Sequence, residues 1–124
     1  MAAAVNIAFE APDNLNGLTP SQQRPIDLVH LATQTKGDKA VELEILQMFA
    51  RQARGCLVAL TDHRSKLEVK SAANRLRGAA MAVGALRVAG AADLVETNGA
   101  SADALASVAA AVLEAEHFIL KLAR

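Results

Sequence analysis

Residues 65–84 read SKLEVKSAANRLRGAAMAVG. An α-helix advances about 100° per residue. With Asn74 set at zero, Val69, Ala72, Leu76, Ala79, Ala80 and Val83 fall on the far side and form a core stripe. Lys70, Asn74, Arg77, Gly78 and Met81 gather on the near side, with Lys66 at its edge, as a polar face. One apolar stripe opposite one polar face, without alternation, predicts a half-buried helix over 65–83. Gly84 supplies its stop.

The same pattern extends in both directions. A short helix is predicted over 26–35, ended by Gly37, and Asp38 is a suitable N-cap for the next. That second helix covers 39–61, with Ile45, Phe49, Ala53, Cys56 and Leu60 at helical spacing. Gly55 weakens it by roughly 1 kcal/mol relative to Ala. Beyond Gly84, a helix over 86–98 buries Val88, Ala92 and Val95 and closes at Gly99. Ser101 caps a last helix over 102–122, which carries Leu105, Val108, Val112 and Ile119. Long helices joined by short connectors favour an antiparallel packing. The expected fold is all-α: an antiparallel, up-down four-helix bundle over 25–124, with a short additional N-terminal helix. Residues 1–24 are expected to form an extended arm, because they hold Pro12, Pro20 and Gly17 and no Lys or Arg before Arg24. Within the arm, Val5, Ile7 and Phe9 alternate with smaller or polar residues.

Composition excludes several classes. Hydrophobic residues make up 52% of the 124, yet aromatics only 2%, and alanine carries much of the apolar share. Strands that need Val, Ile, Tyr and Thr are poorly supplied. Stacking platforms for single-stranded nucleic acid cannot be built. The balance of 13 Lys and Arg against 13 Asp and Glu gives no global attraction for DNA, so no nucleic-acid partner is expected. One cysteine, Cys56, forms no internal disulfide and reads as a small core residue in a reducing compartment. No apolar run approaches the roughly 20 residues of a membrane span, and MAAAVNIAFE lacks the basic start of a signal peptide. A cytoplasmic location is the expectation.

The near face of the third helix carries the chemical information. Gly78 costs roughly 1 kcal/mol in mid-helix and leaves open the space one turn after Asn74. Arg77 brings a cation to the same place. Between His63 and Arg87 stand Arg64, Lys66, Lys70, Arg75, Arg77 and Arg87 against the single acid Glu68, a local positive excess suited to an anionic partner. A solvated basic face with an incidental glycine is the plain alternative.

The run Ala73-Asn74-Arg75-Leu76-Arg77-Gly78-Ala79-Ala80, followed by Val83-Gly84-Ala85, resembles the signature of histidine-containing phosphotransfer (HPt) domains. That signature reads approximately His-x-Leu-Lys-Gly-Ser/Ala-Ala, then an apolar residue and Gly-Ala. The likeness extends from Ile26 to Arg124 and includes Ile26-Asp27, His30-Leu31, Gly37-Asp38, Leu46 to Phe49 and Leu94-Val95-Glu96. It implies a four-helix bundle whose phospho-accepting imidazole projects from one long helix. That imidazole exchanges phosphoryl groups with aspartates of response-regulator receiver domains in a two-component phosphorelay. Carried over, Arg77 would steady a phosphate and Gly78 would admit the partner, while Leu76 and Ala79 pack.

The departure falls on the reacting group. Asn74 stands where the family has histidine. A carboxamide nitrogen has its lone pair delocalised into the carbonyl and is no useful nucleophile. The chain is therefore expected not to be an enzyme of this kind. It is expected to dock on a receiver domain or histidine kinase through Lys66, Lys70, Asn74, Arg77, Gly78 and Met81, as a decoy or scaffold. No cofactor and no metal are implied. Two alternatives stand beside this reading. One is phosphotransfer through another histidine, His63, although none of His30, His63 and His117 has a glycine four residues on. The other is a helical dimerisation or adaptor domain, with the Ala-rich faces or the arm forming a homodimer.

Overall fold

The computed structural model describes residues 20, 22–62 and 65–124. The expected arm thus lies almost wholly outside the described residues, as do His63 and Arg64. All regular structure among the described residues is helical: α1 (Leu28–Thr35), α2 (Lys39–Thr61), α3 (Lys66–Val83), α4 (Leu86–Asn98) and α5 (Ala102–Ala123).

The boundaries follow from capping chemistry. A helix leaves its first N–H groups without intrahelical partners, and a short polar side chain just before it accepts from them. Asp27 accepts from the N–H groups of Val29 and His30, Asp38 from Val41, Ser65 from Glu68 and Ser101 from Ala104. Asp27 is thus the cap of α1 and not its second residue; α1 begins two residues later than periodicity suggests. Likewise Ser65 precedes α3. Ala85 offers α4 no side-chain cap. At the other end of α3, Gly84 adopts φ +78. The N–H of Ala85 donates to Ala80 O at 2.8 Å and that of Gly84 to Met81 O at 3.3 Å, a Schellman closure.

The helices pack around a shared interior. α2 lies against α3 and α5, and α4 lies against the same two, with α1 resting on α2. Leu46, Phe49, Leu60, Leu76, Val88, Val95, Val108, Val112 and Ile119 fill the centre. Between them sit buried alanines at 53, 72, 73, 80, 89, 92 and 115. Small side chains let helix axes approach closely, toward the lower end of about 8–10 Å. This is how the chain builds a core almost without aromatics. Burial differs from the periodicity at four positions. Ala73 is fully buried, while Ala79, Ile45 and Leu105 are only half-buried. Ala73 lies about 100° from Asn74, turned toward the side on which Arg77 meets Glu96 of α4. Among the described residues two charged groups are buried, Asp27 at the α1 cap and Glu42 in the first turn of α2. The Glu42 carboxylate accepts from Thr35 Oγ1 at 3.0 Å and pairs with Lys39 at 3.5 Å. No helix among the described residues is long and apolar enough to cross a membrane.

Candidate functional site

The polar stripe of α3 is laid open to solvent. Lys66, Lys70, Asn74, Gly78 and Met81 are exposed and Arg77 is partly so. Met81, 53% exposed, is a large apolar side chain without a cover. Leu67, at 77%, is another. Seven residues separate Leu67 from Asn74 and Asn74 from Met81, two helical turns each, so the three lie along one line. Sequence reading passed over Leu67, although this heptad spacing was the signal that could have found it.

Gly78 sits in the middle of this line. A Cβ built there meets no atom within 4 Å. Among the described residues nothing requires a glycine at this point. The bare backbone lowers the surface outward, one turn from Asn74. Gly55 and Gly90 are equally open, but Gly78 is the one on the Asn74 stripe.

The charges are arranged differently from the sequence expectation. Glu96 of α4 reaches across to α3 and accepts two hydrogen bonds: from Asn74 Nδ2 to Oε2 at 2.9 Å, and from Arg77 Nε to Oε1 at 2.9 Å. Asp93, one turn earlier, stands 3.9 Å from Arg77 Nε. The hydrogen bond from Arg77, followed by that from Asn74, pulls the Glu96 carboxyl below its ordinary value. The same bond raises Arg77. Arg77 is therefore committed within the chain and is not a free cation awaiting a partner. The Asn74 amide is oriented as well: its nitrogen faces Glu96, which leaves the carbonyl oxygen as its remaining acceptor.

The six-cation segment does not form one patch. Arg75 points away, toward the cleft between α2 and α3 that Ser71, Glu68 and Asp62 also line. Arg87 pairs with Glu114 at 2.7 Å and donates to Gln23 O. Lys66 and Lys70 form no ion pair among the described residues. They border a cleft of about 470 Å³ at the end of α3, with Val69, Val95, Glu96, Asn98, Gly99 and Ala100 as its other walls.

The remaining reactive side chains are scattered. His30 is half-buried, its ring packed where a Cβ on Gly84 would come within 3.3 Å. His117 is exposed beside a groove between α2 and α5. Cys56 is buried, and burial pushes its thiol above the usual value, against an opposing pull from Arg75. Such a thiol stays protonated at neutral pH and is a poor nucleophile. No three His, Cys, Asp or Glu side chains among the described residues converge as metal ligands would.

The Glu96 bridge predicts an acid dependence. A carboxyl whose folded-state value is depressed contributes stability above its unfolded value and loses that contribution as pH falls through the folded one. The bridge should therefore weaken below about pH 4.3, the ordinary glutamate value. In Glu96→Gln this share of the acid sensitivity disappears. Thermal melts of both proteins between neutral pH and pH 3 measure it, and parallel curves would show that the bridge contributes nothing.

No protein-family model, curated protein or solved structure matches this chain.

Proposed function

We propose that this chain is a docking module of the HPt kind: an antiparallel four-helix bundle of α2 to α5, with α1 as the additional helix. It binds a receiver domain or related partner of a two-component phosphorelay and carries no phosphoryl group at the position the family uses. Asn74 takes the place of the phospho-accepting histidine. The module acts as a decoy or scaffold, competing with phosphate-bearing relatives for the same partner surface.

One observation carries this reading. An exposed amide, an open glycine one turn on and two exposed apolar side chains lie on one stripe of a helix whose other side is core. A glycine in mid-helix costs roughly 1 kcal/mol relative to Ala. No internal contact of Gly78 offsets that cost. Close approach of another molecule does.

Gly78 also supplies the test. In Gly78→Ala the helix should gain about 0.5–1 kcal/mol, because the backbone loses freedom in the unfolded chain and nothing clashes in the folded one. Gly78→Trp should fold as well as the parent and yet obstruct the face. Calorimetric titration with receiver domains encoded in the same genome should show binding to the parent and at least a tenfold loss in Gly78→Trp. Absence of binding by every receiver, or equal binding by the Trp variant, would overturn the reading.

A further inference from the structure

We infer that the face receives an acidic side chain of its protein partner at the Lys66–Lys70 end, in the cleft between α3, α4 and the connector at residues 99–100, and not at Arg77. This rests on the docking reading above and refines it.

The distribution of charge carries the inference. Arg77 has its charge answered by Glu96 at 2.9 Å and Asp93 at 3.9 Å. Bringing a further carboxylate to Arg77 would place three acids around one guanidinium. Lys66 and Lys70, one turn apart on the same flank, form no ion pair among the described residues. Both line the cleft of about 470 Å³, whose floor holds the buried Val69 and Val95 and whose rim is Asn98, Gly99 and Ala100. Lys70 also feels the Glu96 carboxylate, though outside ion-pair distance, and two cations that close no ion pair among the described residues, set around an apolar floor, suit a carboxylate on a short aliphatic stem. Glu96 forms one wall and sets a limit on the ligand. A continuous polyanion such as a nucleic-acid backbone would meet this carboxylate, whereas a single acidic side chain can enter between the lysines. Arg77 is then a positioning residue, holding Glu96 and through it the Asn74 amide.

The experiment has two arms on the full chain. In the first, amide NMR shifts are followed while a blocked tetraglutamate peptide is added. Shifts should concentrate at Lys66, Lys70 and residues 98–100, fade as salt is raised, and vanish in the Lys66→Glu/Lys70→Glu variant. Shifts centred on Arg77, Asp93 and Glu96, or spread over the whole surface, would overturn the inference. So would tighter binding of a DNA duplex than of the peptide. In the second arm, the receiver that binds the parent is titrated against the double variant and against Arg77→Gln. The charge reversal should weaken binding at least tenfold and Arg77→Gln less than threefold. Equal losses sink the inference while the docking reading stands; failure of every receiver to bind the parent removes both.

Discussion

Asn74→His should turn this chain into a phosphoryl acceptor. The parent, treated with phosphoramidate, is expected to take up no label at residue 74. The variant should take up an acid-labile, base-stable phosphoryl group at least tenfold above the parent's background. The geometry supports this expectation. Residue 74 is exposed, so a donor can reach it, and the neighbouring Gly78 leaves its approach clear. Glu96 already accepts a hydrogen bond from the side-chain nitrogen at 2.9 Å. In the variant the same carboxylate is placed to accept the ring N–H of one imidazole nitrogen. The other nitrogen then keeps its lone pair for attack on phosphorus. The donor's P–N bond breaks and ammonia leaves. Removing the orienting carboxylate, in Asn74→His with Glu96→Ala, should slow labelling, because the ring loses its fixed tautomer and direction. Peptide mapping reads the label, since His30, His63 and His117 provide an internal background. A variant labelled no more than the parent would show that the surface around residue 74 is not competent for phosphoryl transfer.

Gly84→Val should be the most damaging single change in the chain outside the hydrophobic centre. Gly84 has φ +78, where an L side chain costs about 1–2 kcal/mol. A Cβ there would also stand 3.0 Å from Asp27 Cβ and 3.1 Å from Asp27 O. These neighbours are held in place. Asp27 N–H donates to Gly84 O at 2.8 Å, and the Asp27 side chain caps α1. Relieving the clash therefore separates α1 from the end of α3. Strain and overpacking together should cost about 3 kcal/mol or more. That is a large part of the roughly 5–15 kcal/mol that stabilises a typical domain. Gly37 offers a control. It has φ +81 but open space around its missing side chain. Gly37→Ala should lose only about 1 kcal/mol, from backbone strain alone. Urea unfolding of both variants separates strain from collision. Equal midpoints would mean that the α1 contact at Gly84 contributes nothing.

The helices were legible because their signals are local. Asp38 and Ser101 each precede a periodic segment, and each accepts the N–H that its position requires, while Ser65, read as the first residue of its helix, is the cap before it. Gly37, Gly84 and Gly99 all have positive φ, as stops should. The stripe of α3 was legible for the same reason, since rotation per residue places Asn74, Gly78 and Met81 together without knowledge of any neighbour. What the neighbour does was not legible. Glu96 lies within the fourth predicted helix, and its meeting with Asn74 and Arg77 spans 22 and 19 residues. Ala73, which the rotation of α3 places on neither face, is fully buried. Arg87 belongs to the basic segment in sequence but in space answers Glu114.

The amino-acid order alone thus determined where helices begin and end, which side of each is apolar, and that residue 74 bears an amide with no nucleophilic lone pair. These properties depend on dihedral preference, capping and bond chemistry, all of which act within a few residues. Tertiary structure decided which charges remain free. Coulomb attraction depends on distance in space, and only the packing of α4 on α3 brings Glu96 against Arg77 while Lys66 and Lys70 close no ion pair among the described residues.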